Sequence, residues 1–203
     1  MTKSADEATL AFYASEAPDY VATGRGGINR HLDHFLTKLA PSSRVLELGC
    51  GSGRDAQAFL DAGHMVDATD GSAAMAAQAE ARLGQPVQVM RFDQLEAVGS
   101  YDAVWASASL LHVPRAGLRD VLWRIHRALR PGGLHYASYK AGGAEGRDTL
   151  GRYYNYLTAA EAVTLYQSVG DWSVLEIFEY VGGGYDGAQG KWTALILEKP
   201  ATR

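Results

Sequence analysis

The sequence predicts an α/β fold, a mostly parallel sheet with helices on both faces, and three observations predict it. Short apolar runs alternate with segments of helical periodicity, strand following helix four times. The first apolar run opens into a glycine turn, GCGSG at residues 49–53, and acids stand at three successive strand ends, Glu47, Asp70 and Asp93. Such alternation implies crossover connections and puts a ligand site at the carboxyl ends of the strands. With 203 residues and 47% hydrophobic content, the chain is long enough for one well-filled domain and short for two. Residues 1–203 are therefore read as one domain, with 1–40 as a helical lid.

Ser4 and Glu7 form a capping box ahead of a first helix that carries Leu10, Phe12 and Tyr13. Leu32, Phe35, Leu36 and Leu39 recur at helical spacing, and Pro41 with two serines closes that element before the first strand. Residues 55–61 read as a helix stopped at Gly63, and residues 65–69 as a second strand ending in Asp70. Ser72 caps an alanine-rich helix stopped at Gly84, and a third strand over 87–92 ends in Asp93. Leu118, Val121, Leu122, Ile125 and Leu129 form the apolar stripe of a further helix, ended by Pro131 and Gly132. A helix over about 158–169 precedes two strand-like runs, 172–180 and 192–198, whose short connection predicts antiparallel pairing. Their loop, VGGGYDGAQG, is either a plain connector or a cover over the site.

Glycine lacks Cβ, so Gly49, Gly51 and Gly53 can turn the backbone sharply and bring N–H groups close to a ligand. The spacing is G-x-G-x-G. A dinucleotide fingerprint would need its third glycine where this chain has Arg54, which demotes a nicotinamide cofactor. Asp70 lies about twenty residues past the turn, where a βαβ unit sets a carboxylate to take two ribose hydroxyl protons. The competing reading is that Asp70 and Asp93 merely cap local structure.

A net charge of −4 and a pI near 5.8 give no basic field for a phosphate backbone, which argues against nucleic acid and favours small-molecule chemistry. The opening MTKSADEATL lacks the apolar core of a signal peptide and no run reaches membrane-spanning length, so a cytoplasmic location is expected. One cysteine, Cys50, allows neither an intrachain disulfide nor a zinc signature, and inside the glycine turn it is expected to offer its backbone. No metal site is expected, and oligomeric state is not legible.

Through ELGCGSG, Asp70 and the pair Phe92–Asp93, the chain resembles the class I S-adenosylmethionine-dependent methyltransferases. YDAVWASASLLHVP from Tyr101 and LRPGG from Leu129 look like that family's fourth strand and the turn before its fifth. The resemblance covers roughly residues 10–200, and within the family it is strongest to the small bacterial branch related to tellurite-resistance methyltransferases. It implies a Rossmann-like, mostly parallel seven-stranded sheet with a C-terminal antiparallel hairpin. It also implies S-adenosylmethionine as cofactor and S-adenosylhomocysteine as product. By the same resemblance Gly49, Cys50 and Gly51 lie against the methionine portion, Asp70 binds the ribose, and Phe92 with Asp93 holds the adenine. Gly71, Ser72 and Met75 flank the nucleoside, with Met75 alternatively core, and Ala106 is small enough to admit the ligand.

Tyr13 and Tyr20, seven residues apart, either reach across the strand ends from the lid or pack in the core. Arg25 and Arg30 either meet a carboxylate or are solvated, and Arg54 pairs with Asp55 or Glu47 or else touches the cofactor. His112, in SLLHVP, is the candidate general base, its rival reading being a residue that only shapes the pocket. Tyr139 and Lys140, expected after the fifth strand, and RYYNY from Arg152 are candidates for the acceptor pocket or a packed connector. The expected reaction is in-line methyl transfer to a small molecule. A noncatalytic S-adenosylmethionine-binding regulator and a dinucleotide-dependent oxidoreductase remain as alternatives.

Overall fold

The computed structural model describes residues 4–22, 27–185 and 187–201, without the side chains of Tyr20 and Val21. Two helices, α1 (Glu7–Ala22) and α2 (Leu32–Leu36), lead into β1 (Arg44–Leu48). Alternation then runs through α3 (Arg54–Asp61), β2 (Met65–Asp70), α4 (Ala73–Leu83), β3 (Gln88–Val89), β4 (Tyr101–Ala106), α5 (Arg115–Ala128) and β5 (Leu129–Lys140). A small ribbon of β6 (Gly146–Arg147) and β7 (Tyr153–Tyr154) precedes α6 (Ala159–Gln167), and β8 (Ser173–Gly183) with β9 (Gln189–Glu198) ends the fold.

The main sheet has seven strands in the order β3-β2-β1-β4-β5-β9-β8. Its first five strands pair in parallel, and β9 pairs antiparallel with both β5 and β8. Chain order reverses at β1, which has β2 on one side and β4 on the other, and this switch opens a crevice beyond the strand ends.

Each face of the sheet owns a core. Leu32 and Phe35 of α2, Ala56 and Phe59 of α3 and Ala76 of α4 cover one face, packed on Val45, Trp105 and Tyr136. Leu118, Val121, Leu122 and Ile125 of α5, with Ala162 and Tyr166 of α6, cover the other. Full burial of a large aliphatic side chain stabilises by about 1.5–3 kcal/mol, so the α5 stripe alone fixes that helix on the sheet. Local signals agree. Ser72 Oγ accepts from Met75 N, Gly84 stops α4 at φ +64°, and Thr158 with Glu161 closes a capping box on α6.

Four expectations are corrected. Asp6, not Ser4, caps α1: its carboxylate accepts from Thr9 N at 2.9 Å, while Ser4 is buried in the wall of the crevice. β3 is only two residues long, because the chain turns away from β2 after Met90 N meets Asp70 O. Phe92 and Asp93 therefore lie in a 3-10 turn. Pro131 and Gly132 do not end α5; they sit inside β5 where its pairing with β4 slips between Tyr101 and Ala103. The two ends of the glycine-rich stretch belong to the strands, with Gly182 opposite Gly190 and Gly183 opposite Gln189. Among the described residues no helix is long and apolar enough to cross a membrane.

Candidate functional site

The glycine turn after β1 forms the floor of the crevice. Gly49, Gly51 and Gly53 all have φ between +56° and +74°, a region open to glycine at no steric cost. At Gly49 a Cβ would also lie 2.6 Å from Ser109 Cβ, so two independent demands fix glycine there. The turn is tied to β2: Gly49 N and Cys50 N both donate to Thr69 O, at 2.9 and 2.8 Å. Gly51 N and Ser72 N donate to the two oxygens of Asp70, at 2.9 and 2.8 Å. Burial pushes the Asp70 carboxyl up to about 6 against those two bonds. Each oxygen keeps acceptor capacity beyond its backbone partner.

Two further acids stand behind the turn. Asp55 accepts from Asn29 N at 2.9 Å and Trp105 Nε1 at 2.8 Å, and Asn29 Nδ2 reaches Ser107 Oγ at 2.8 Å. The chain entering α2 is thereby pinned to the crevice. Glu47 is buried, and its Oε2 has no hydrogen-bond partner among the described residues. Burial, then the neighbouring Asp55 and Asp70, pushes its carboxyl well above the usual range. Burial likewise pushes the Cys50 thiol up, so sulfur chemistry is not what that residue offers. Among the described residues no His, Cys, Asp and Glu cluster is placed to hold a metal.

The opposite wall is made of side chains. His112 closes a 3-10 turn after β4, and its Nδ1 lies 2.6 Å from the Tyr153 carbonyl. A carbonyl only accepts, so Nδ1 carries the proton and Nε2 accepts the Tyr13 hydroxyl at 3.0 Å. Arg152 Nη1 also reaches Tyr13 Oη, at 3.3 Å. That arginine is buried and held by Asp148 through Nη2 at 2.6 Å and Nε at 2.9 Å. Burial brings the His112 imidazole down to about 4.

Nine of the expected site residues line the crevice: Tyr13, Gly49, Cys50, Gly51, Asp70, Gly71, Met75, Phe92 and His112. Arg54 lines it too. Three others do not. Ser72 is turned to cap α4, Asp93 is drawn onto Arg91 Nε at 3.2 Å by the 3-10 turn, and Ala106 is enclosed in the sheet. The wall expected of Ala106 is formed instead by Ser107, Ala108 and Ser109. Arg30 lies over the Tyr180 ring, Tyr139 bonds Tyr166 Oη at 3.0 Å within the core, and Lys140, on β5 rather than after it, lies over Tyr154. Arg25 is outside the described residues, as is the Tyr20 side chain. The sequence reading missed Asp6, Thr9, Met90 and Arg91 as lining residues. No local signal marks them, since each arrives through the packing of α1 or the shortening of β3.

Residues 45–133 match the profile of a methyltransferase domain. An uncharacterized methyltransferase of Synechocystis sp. is 31% identical over 113 residues, which is 54% of this chain and 53% of that protein. A trans-aconitate 2-methyltransferase of Deinococcus radiodurans is 38% identical over 101 residues, covering 46% of this chain and 36% of that protein. The chain thus spans about half or less of the length of these curated relatives. In fold it is similar to a 1,6-didemethyltoxoflavin-N1-methyltransferase of Burkholderia thailandensis solved with 1,6-didemethyltoxoflavin and S-adenosylhomocysteine. The TM-score is 0.78 at 21% identity, over 96% of this chain and 88% of that one.

Proposed function

We propose that this chain, whose residues 45–133 match a methyltransferase domain and whose sheet is Rossmann-like, is a class I methyltransferase that binds S-adenosylmethionine and transfers its methyl group to a small-molecule acceptor. The observation that carries the reading is the Asp70 carboxylate, clamped by Gly51 N and Ser72 N at the tip of β2 in the lining of the crevice. That geometry suits a vicinal diol. The partnerless Glu47 oxygen, buried on the same floor, suits a cationic group. The crevice opens to solvent and carries the glycine turn, Asp70, Met75 and Phe92 along one continuous lining, the set a nucleoside with an amino acid tail would need.

When bound, S-adenosylmethionine supplies a methyl group on a sulfonium, which an in-line nucleophile displaces. Gly49, Cys50 and Gly51 hold the amino acid portion, Asp70 the ribose, and Phe92 and Met75 the adenine. Tyr13 covers the methionine end from α1, and His112 is the base in which the acceptor's proton is finally accommodated. Residues 1–203 act as one domain, with 1–40 as its lid. Much of the barrier falls through alignment and exclusion of water, for which positioning alone can supply up to about 7–11 kcal/mol.

Trans-aconitate and 1,6-didemethyltoxoflavin, named for two of the similar proteins, are both small molecules, which supports the acceptor class. The narrower likeness to tellurite-resistance methyltransferases, and a cytoplasmic location, remain part of this proposal. The test is release of S-adenosylhomocysteine on incubation with S-adenosylmethionine and a panel of thiol, halide, hydroxylated aromatic, carboxylate and oxyanion acceptors. Release with an organic acceptor is expected. Release with tellurite alone would narrow the reading to that branch. Tight cofactor binding without turnover on any acceptor would favour a noncatalytic regulator.

A further inference from the structure

We propose that Tyr13 is the catalytic group that takes the acceptor's proton and relays it to His112, so that the site is built for acceptors with a removable proton on oxygen or nitrogen. This rests on the methyl-transfer reading above. The hydrogen bonds in this wall run in one direction. Arg152 is a donor only and points Nη1 at Tyr13 Oη, which orients the phenol so that its own proton faces His112 Nε2. His112 donates its one ring N–H, on Nδ1, to the Tyr153 carbonyl at 2.6 Å, which holds the ring in place. The Nε2 lone pair is therefore aimed at Tyr13, and an acceptor in the crevice reaches it through the phenol that lines the same space.

The step balances. The acceptor oxygen or nitrogen forms a bond to the methyl carbon, the carbon–sulfur bond breaks, and its electron pair goes to sulfur. The acceptor's proton moves to Tyr13 Oη as the Tyr13 proton moves to His112 Nε2, from which solvent removes it after product leaves. One positive charge disappears from the sulfonium and one appears on the imidazole, so the net charge of the crevice is unchanged. The groups that face the imidazole are Tyr13 from α1, the Tyr153 carbonyl and the Tyr154 ring from β7, Arg152 and Asp148 from the ribbon segment, and Lys140 from β5. Arg152 and Lys140 oppose the imidazolium and Asp148 favours it. Burial, with Arg152 and Lys140 adding to it, brings the imidazole down to about 4 and keeps it neutral above that pH. Proton removal then imposes no acid limb on kcat between pH 5 and 8.

The experiment compares the full chain with its Tyr13→Phe variant, which keeps the ring over the site and removes only the hydroxyl. Calorimetry with S-adenosylhomocysteine should give affinities within about threefold of each other, and failure of the parent to bind would sink the methyl-transfer reading rather than this one. The ratio of phenol turnover to turnover of iodide, which has no proton to lose, should fall about 10²-fold in the variant. Equal losses on both acceptors would reduce Tyr13 to a packing residue and overturn the relay, as would no loss on the phenol. A second arm needs no acceptor. Nitrogen NMR of the S-adenosylhomocysteine complex should show His112 as the Nδ1–H tautomer, with an Nε2 resonance that moves toward the unbonded position in Tyr13→Phe. An Nε2–H tautomer in the parent would overturn the proposal.

Discussion

The two walls of the crevice are built from different materials. The wall under β1 and β2 is backbone: glycine turns and N–H groups, with Asp70 as the one carboxylate they clamp, all from a stretch of some twenty-five residues. The wall around His112 is side chain, and its bonds join residues far apart in sequence, 99 positions for Tyr13 to His112 and 139 for Tyr13 to Arg152. A backbone-built wall tolerates few substitutions where a Cβ would collide and is indifferent to most others. A wall of side chains can be rewritten one residue at a time. The first arrangement suits a ligand that never changes, and the second a partner that differs from one relative to another.

Perturbing the side-chain wall gives the largest expected effect. His112→Gln should lower turnover by about 10²–10⁴-fold while melting temperature and S-adenosylhomocysteine affinity stay near those of the parent. Steady-state kinetics with calorimetry checks this, and parental turnover would leave His112 a shaper of the pocket. On the backbone wall, Asp70→Ala should weaken cofactor binding by about 1.5–3 kcal/mol, the scale of hydrogen bonds to a charged group, in a protein that still folds. Protonation should mimic that variant. With its carboxyl raised to about 6, Asp70 is an ionised acceptor above that pH and a protonated one below it. Affinity for S-adenosylhomocysteine should therefore be flat above pH 7 and fall by up to about tenfold per unit below 6, a slope that Asp70→Ala abolishes.

Gly49→Ala sharpens the contrast from the stability side. It combines a positive φ with a collision on Ser109 Cβ, so thermal unfolding should report a loss of about 1–3 kcal/mol. Asp6→Asn should have the smallest effect. The Arg147 guanidinium beside Asp6 holds its carboxyl down to about 2, below its ordinary 3.8. A depressed folded value means the pair stabilises above pH 4 and fades as pH falls toward 2. The arginine is nearly half exposed, so solvent screens the pair and its contribution to stability is small. Faster hydrogen exchange in α1, with an almost unchanged melting temperature, is the expected signature.

The same division explains what could be read in the sequence. Elements fixed by local chemistry were legible: the glycine turn, the Ser72 and Gly84 ends of α4, the α5 stripe and the terminal hairpin. Errors arose where a tertiary partner decided. Asp6 caps α1 because the helix begins at Glu7 and Arg147, far along the chain, holds the capping carboxylate, and β3 stops early because the chain turns into a 3-10 helix at Phe92. Asp93 follows Phe92 into the turn and finds Arg91. Arg152 reads as part of an aromatic connector, and nothing in RYYNY signals that it is buried against Asp148 and aimed at a residue of the first helix. Ala108 forms the crevice wall at φ +49°, a conformation an alanine does not advertise.

The central claim, that the backbone wall is a cradle for an adenosyl group, is tested most directly by calorimetric titration of the full chain with S-adenosylhomocysteine and, in parallel, NAD at pH 7.5. One site for S-adenosylhomocysteine, at least about tenfold tighter than any NAD binding, is the predicted result. Equal or tighter binding of NAD, or no heat with S-adenosylhomocysteine under conditions where the protein is folded, would contradict it.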